Sequence, residues 1–164
     1  MSIDREDPPS ESLGVVLVVD DEPRIRSLAR RFLEDGAYQV IEAENGAEAL
    51  KVMEGGTPID FLMVDLDMPV MRGDEMATRM RAARPDLKVL YVTAHVDSLF
   101  EKRPQLWEGE AFLDKPFTKK GLLEAVSLLR WGTFDGTPPS HDSSLRLRWQ
   151  RLWDHARGIT LASK

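Results

Sequence analysis

Short runs of apolar residues, each followed by a polar residue or a turn, recur five times along the chain. Such runs are typical of β-strands that a fold buries on both faces. The pattern predicts strands at residues 15–19, 39–43, 59–64, 88–92 and 110–113.

Apolar residues at helical spacing occupy the stretches between these runs. Pro23 stands where the first helix would begin, and Gly36 stands where it would end. Further helices are predicted at residues 46–53, 74–83, 96–107 and 118–130. Pro104 lies inside the fourth of the five helices and should shorten or break it.

Strands that alternate with helices favour a parallel sheet with helices on both faces. Right-handed crossover connections then place the carboxyl ends of all the strands on one edge of the sheet. The pattern therefore predicts a doubly wound α/β fold, and this edge is where ligands of such folds collect.

The chain has 164 residues, of which 42% are hydrophobic and 30% charged, enough for one globular domain and a short appendage. It has no cysteine, which excludes disulfides, thiolate nucleophiles and cysteine metal sites. We expect a cytoplasmic protein, because no signal-peptide pattern opens the chain and no apolar run approaches the roughly 20 residues that span a bilayer.

The net charge of −6 is unevenly distributed. Residues 131–164 contain five Lys or Arg and three Asp or Glu, which gives +2 there and leaves −8 for the rest of the chain. An acidic main body argues against a protein that coats nucleic acid, so we expect no direct nucleic-acid binding.

Composition divides the chain into four segments. Residues 1–12 are predicted to be a disordered lead-in, 13–131 the domain, 132–142 a linker and 143–164 an amphipathic helical tail. The tail combines Trp149 and Trp153 with four arginines. It could pack on the domain or on a second copy in a homodimer, dock on another protein, or lie on a membrane surface. These alternatives stay open.

Polar residues follow four of the predicted strands. Asp20 and Asp21 follow the first strand, Asp65 the third, Thr93 the fourth and Lys115 the fifth. All of these strands end at the same edge of the sheet, so we expect the five side chains to converge there. Asp65 is expected to be presented at this edge, not buried.

Three carboxylates close together repel one another unless a cation lies among them, and a few oxygen ligands with room for water suit Mg²⁺. Lys115 is the kind of cation that pairs with phosphate, and Thr93 supplies a hydroxyl donor. Together these groups could neutralise a phosphoryl group on Asp65, which makes Asp65 a candidate nucleophile for an aspartyl-phosphate.

Each of these residues also has a plain structural interpretation. Asp20 and Asp21 could cap the first helix, and Thr93 could bond its own backbone at a strand end. Lys115 could be a solvated surface charge.

Four motifs in this order resemble the response-regulator receiver domain, the phosphoacceptor module of two-component signalling. The resemblance runs from about Gly14 to Arg130. The motifs are VVDDEP at 18–23, VDLDMP at 64–69 with Gly73 after it, VTA at 92–94 and FLDKPF at 112–117.

The resemblance implies a flavodoxin-like sheet of five strands in the order 2-1-3-4-5 with five helices, followed here by the C-terminal helical extension. It implies Mg²⁺-dependent phosphorylation of Asp65 by a histidine kinase or a histidine phosphotransfer protein. Such a protein is a signalling switch and catalyses only its own phosphorylation and dephosphorylation.

The resemblance also assigns roles to individual residues. Mg²⁺ would be held by Asp20, Asp21, Asp65 and the main-chain carbonyl of Asp67. Thr93 and Lys115 would move onto the phosphoryl oxygens, and Lys115–Pro116 would be a cis peptide. The aromatic switch position falls on Phe112, which could equally be plain core packing.

Asp67 and His95 lie where the family's side chains influence access of the hydrolytic water, so they are expected to set the phosphoryl lifetime. For His95 the alternative is an ordinary exposed histidine.

The alternative to a phosphoacceptor response regulator is a haloacid-dehalogenase-like phosphatase. Asp65 and Asp67, which come after an apolar strand, resemble the nucleophile and the acid of that family. That motif normally follows the first strand, whereas here it follows the third. The Asp20–Asp21 pair would also have no role in such a phosphatase.

Overall fold

The computed structural model of the chain describes residues 12–95 and 109–131. Within these ranges there are five strands and four helices. The strands are β1 (Val15–Val19), β2 (Gln39–Ala43), β3 (Phe61–Asp65), β4 (Lys88–Thr93) and β5 (Glu110–Asp114). The helices are α1 (Pro23–Asp35), α2 (Gly46–Glu54), α3 (Gly73–Ala83) and α4 (Lys119–Trp131).

The five strands form one parallel sheet in the order β2-β1-β3-β4-β5. This order confirms the flavodoxin-like topology, in which β1 and β3 are neighbours at the middle of the sheet. Val19, the last residue of β1, pairs with Val64, the residue before the last of β3. The residues that follow β1 and end β3 therefore meet at one edge.

Alternate residues of each strand face opposite sides of the sheet, and both sides are covered by helices. On β1, Leu17 and Val19 pack with residues of α2 and α3, whereas Val16 and Val18 pack with residues of α1 and α4. Each fully buried side chain of this size contributes about 1.5–3 kcal/mol. Burial on both faces is why the strands appear in the sequence as continuous apolar runs.

The observed elements match the predicted ones to within one or two residues. Asp65 and Thr93 are the last residues of β3 and β4, although the pattern placed both just after their strands. The helix predicted at 96–107, the linker, the tail and most of the lead-in lie outside the described residues.

No helix in the described part of the chain is long and apolar enough to cross a membrane.

Candidate functional site

Four polar or charged side chains of the described residues are buried: Asp20, Asp65, Thr93 and Glu110. Asp20, Asp65 and Thr93 lie at the carboxyl ends of β1, β3 and β4. Glu110 is the first residue of β5 and therefore lies at the opposite edge of the parallel sheet. Burying carboxylates away from water is costly, so two of them together at one sheet edge indicate a functional site.

Lys115 joins the two buried carboxylates. Its Nζ donates to Asp20 Oδ2 over 2.8 Å and to Asp65 Oδ2 over 3.1 Å. The lysine lies one residue after β5, and its main-chain N–H donates to the Thr93 carbonyl oxygen over 2.9 Å. The hydrogen-bond ladder between β4 and β5 thus continues to Lys115 and fixes the position of its main chain, from which the side chain extends to the two carboxylates.

Burial raises the pKa of Asp20 above its ordinary value of 3.8, although the hydrogen bond from Lys115 acts in the opposite direction. For Lys115 burial lowers the pKa, but the hydrogen bonds and negative charges of Asp20 and Asp65 outweigh it and raise the pKa above 10.5. Lys115 is therefore charged at neutral pH.

Asp21 completes a group of three carboxylates. One oxygen each from Asp20, Asp21 and Asp65 lies within 4.8 Å of the others, and only Asp21 is exposed to solvent. Carboxylate oxygens with one side open to water are the donors that Mg²⁺ takes in proteins. The donor set therefore fits a magnesium ion held by these three residues.

Thr93 faces Asp67 and not Asp65. Its hydroxyl donates to Asp67 Oδ2 over 3.0 Å and accepts the N–H of His95 over 2.9 Å. The Nδ1 atom of His95 is 3.7 Å from the same Asp67 oxygen. Thr93 is thus close to the carboxylate cluster, but its donor is engaged by a different side chain.

A main-chain group of the loop after β3 helps to position the Asp65 carboxylate. The N–H of Asp67 donates to Asp65 Oδ1 over 3.0 Å. A Cβ atom on Gly73 would overlap the carbonyl oxygen of Asp65, so only glycine allows α3 to start this close to β3. Across the site, the Lys115–Pro116 peptide is cis, as the resemblance implied.

Phe112 is buried within the core on the α2 and α3 side of the sheet. It is the β5 partner of Tyr91 in the strand register. Its position is that of a packed core residue, and its role as a switch stays a prediction.

The expectation that Asp65 is presented at the sheet edge was wrong in one respect, because the residue is only 5% exposed. The strand ladder extends through Asp65, which pairs with Val92, and Lys115 covers its carboxylate. The group lies at the edge of the sheet but is buried there.

Sequence reasoning missed Arg26, which contacts the site, and Glu42, which contacts Arg26. Arg26 donates from Nη1 to the Asp20 carbonyl oxygen over 2.7 Å, and its Nε is 3.9 Å from Glu42 Oε1. An arginine on an amphipathic helix is ordinarily a solvent-facing charge. The only available signal was that Arg26 follows Asp20 by six residues, within one helical turn of the start of α1.

Comparison with known proteins identifies the family. The family model of the response regulator receiver domain matches residues 16–127. The chain is 36% identical over 127 residues to the response regulator MprA of Mycobacterium sp. (strain KMS), which covers 76% of this chain and 54% of that protein. It is 35% identical over 114 residues to the sensor kinase CckA of Brucella abortus, which covers 69% of this chain and 12% of that protein.

A solved structure agrees with these sequence matches. The response regulator TrrA of Thermotoga maritima, in complex with Mg²⁺ and BeF, superposes with a TM-score of 0.61 at 36% identity. The superposition covers 71% of this chain and 99% of that one. The matched region, the strand order and the acidic edge of the sheet agree, and the chain belongs to the family of response regulator receiver domains of two-component signalling.

Proposed function

We propose that the chain is the phosphoacceptor of a two-component system and that Asp65 takes a phosphoryl group in a Mg²⁺-dependent reaction. The observation that carries the proposal is the Lys115 ammonium group, which bridges the buried carboxylates of Asp20 and Asp65 beside Asp21. A nucleophilic carboxylate, a cation for the phosphoryl oxygens and a set of metal ligands are together what phosphoryl transfer to aspartate requires.

The donor is a phosphohistidine of a histidine kinase or of a histidine phosphotransfer protein. A carboxylate oxygen of Asp65 attacks phosphorus, and the bond from phosphorus to the imidazole nitrogen breaks. The electron pair of that bond stays on the imidazole, and the product is an acyl phosphate on Asp65. The switch is reset by hydrolysis: water attacks phosphorus and releases inorganic phosphate and the free carboxylate of Asp65.

Two side chains hold the phosphoryl group once it is bound. Lys115 exchanges its hydrogen bond to Asp65 for one to a phosphoryl oxygen. Thr93 exchanges its hydrogen bond to Asp67 for one to a second phosphoryl oxygen. Asp20, Asp21, Asp65 and the main-chain carbonyl of Asp67 would hold Mg²⁺, which would supply positive charge to offset the developing negative charge. Phe112 is the proposed aromatic switch, and Asp67 and His95 tune the phosphoryl lifetime.

The relatives support a histidine kinase as partner, because one of them is itself a sensor kinase. The chain spans 12% of that kinase and about half of the response regulator MprA, so the partners and output of those whole proteins are not transferred to it. We propose a cytoplasmic protein with its receiver at 13–131, its linker at 132–142 and its tail at 143–164. Binding of Mg²⁺ and phosphate shifts an existing equilibrium towards an active interaction surface.

Intact-mass spectrometry after incubation with acetyl phosphate and Mg²⁺ tests the proposal. Wild-type protein should gain one phosphoryl group, and Asp65→Asn should gain none. Equal labelling of the two proteins would contradict the role of Asp65. Catalytic turnover of p-nitrophenyl phosphate without stable labelling would favour the haloacid-dehalogenase-like phosphatase instead.

A further inference from the structure

The carbonyl oxygen of Asp20 lies beyond the end of the strand that should pair with it. The Asp20 N–H donates to the Ala43 carbonyl oxygen over 3.3 Å, and in a parallel ladder the N–H and C=O of one residue face the same neighbouring strand. That neighbour, β2, ends at Ala43, and the chain then turns into α2 with Asn45 as its N-cap. The Asp20 carbonyl therefore needs a donor from elsewhere.

Arg26 supplies this donor from α1. Its Nη1 lies 2.7 Å from the Asp20 carbonyl oxygen, and its side chain is only 15% exposed. Glu42 on β2 lies next to the same guanidinium and also forms an ion pair with Arg30, whose Nη1 is 2.9 Å from Glu42 Oε2. Arg26 and Arg30 are one helical turn apart, so Glu42 contacts both and limits where the Arg26 side chain can go.

The Asp21 carboxylate is placed differently from the other two acids of the cluster. The Asp20 and Asp65 carboxylates both accept from Lys115 and also from nearby main-chain N–H groups. Within residues 12–95 and 109–131 no hydrogen bond or ion pair is found for the exposed Asp21 side chain. Its position therefore depends on the main chain, beginning with the Asp20–Asp21 peptide whose carbonyl Arg26 holds.

We propose that Arg26 is a positioning residue for the magnesium site, and that it acts through the Asp20 carbonyl to place the Asp21 carboxylate within the cluster. The inference rests on the proposed function, because it assumes that Asp20, Asp21 and Asp65 hold Mg²⁺. It adds a residue on α1, braced by Glu42 on β2, to the groups that determine the affinity for the ion.

The direction in which the Mg²⁺ affinity changes when Arg26 is removed distinguishes a positioning role from a purely electrostatic one. Removing a positive charge near an acidic cluster strengthens its attraction for a cation, so a purely electrostatic role predicts tighter Mg²⁺ binding without Arg26. Loss of a positioning residue instead disorders a ligand and weakens binding, and supporting residues of metal sites typically contribute tenfold or more.

Isothermal titration of the full chain with Mg²⁺ makes the measurement without any phosphodonor. Arg26→Ala should raise the Kd about tenfold. Arg26→Lys, which keeps a donor for the carbonyl, should recover part of the affinity. Arg24→Ala is the matched control, because Arg24 is exposed on the same helix and its loss removes the same charge. It should leave the Kd within about twofold of wild type or lower it slightly.

Glu42→Ala provides a second test, in case Arg26→Ala does not fold by circular dichroism. It should weaken Mg²⁺ binding in the same direction. Because the loss of a negative charge also weakens binding, the coupling identifies positioning: Glu42→Ala should have a smaller effect in an Arg26→Ala or Arg26→Lys background than in wild type, since both residues act through one guanidinium. Unchanged or tighter binding by Arg26→Ala, or by Glu42→Ala if the first variant is unfolded, would overturn the inference. Wild-type protein that binds no Mg²⁺ would instead overturn the proposed function.

Discussion

The hydroxyl of Thr93 donates a hydrogen bond to Oδ2 of Asp67 over 3.0 Å. The same hydroxyl accepts the main-chain N–H of His95, so its single proton is committed to the Asp67 carboxylate. A phosphoryl oxygen on Asp65 would compete with Asp67 for that proton. Asp67 therefore stabilises this arrangement of Thr93 against one in which the hydroxyl contacts a phosphoryl oxygen.

Replacing Asp67 by alanine should raise the affinity for beryllofluoride, a mimic of the phosphoryl group, about fivefold. Breaking one hydrogen bond of ordinary net strength frees about 1 kcal/mol for the competing contact. Fluorine NMR titration in the presence of Mg²⁺ gives the affinity. In a Thr93→Val background the same substitution should have a much smaller effect. An equal effect in both backgrounds would show that Asp67 acts by its charge alone.

The stability of the metal-free protein should depend on pH through Asp20. Because burial raises its pKa, the folded protein binds a proton there more tightly than the unfolded chain, whose ordinary value is 3.8. The resulting stabilisation is complete below 3.8 and is lost as the pH rises through the folded-state pKa. Urea unfolding in EDTA, from about pH 4 to pH 8, should show a larger loss of free energy for wild type than for Asp20→Asn. Parallel pH profiles would contradict this explanation.

Gly73→Ala should destabilise the protein by about 2 kcal/mol, because the added methyl group overlaps the Asp65 carbonyl and forces β3 and α3 apart. The same shift should reduce labelling of Asp65 by acetyl phosphate. Gly55→Ala is the control, since a Cβ atom there meets its nearest neighbours at 3.5 Å, an ordinary contact. Similar unfolding midpoints for the two variants would rule out the steric argument.

Removal of residues 138–164 should leave labelling of Asp65 intact. Every side chain proposed for the site comes from the segment between Asp20 and Lys115. Intact-mass spectrometry of the truncated protein, with its Asp65→Asn version as control, measures the labelled fraction. A folded truncation that is no longer labelled would show that the tail takes part in the reaction.

The architecture and the proximity of Asp20, Asp65 and Lys115 could be predicted, because they follow from local sequence patterns and from the topology of a parallel sheet. The run from Phe61 to Val64 is apolar throughout because both faces of β3 are covered. Once the strands are parallel, chain topology alone brings the ends of β1, β3, β4 and β5 to one edge. Asp20, Asp65 and Lys115 could therefore be grouped from the sequence although 95 positions separate the first from the last.

The partner of each side chain could not be predicted in this way. Thr93 has several acceptors within reach, and the choice of Asp67 depends on how the loop after β3 turns. Arg26 appears in the sequence as one of several arginines on α1, and its role depends on β2 ending where the Asp20 carbonyl needs a donor. The burial of Asp65 depends on the reach of Lys115 from another loop.

Among the residues that the structure describes, the side chains at the acidic edge of the sheet differ in exposure. Lys115 covers the buried carboxylates of Asp20 and Asp65. Asp21 is exposed to solvent, and the side chains of Asp67 and His95 are 48% and 72% exposed. Under the proposed function, a phosphodonor and the water that hydrolyses the aspartyl-phosphate would both approach past these exposed side chains. We therefore expect a bulkier residue at position 67 or 95 to slow both phosphorylation and hydrolysis.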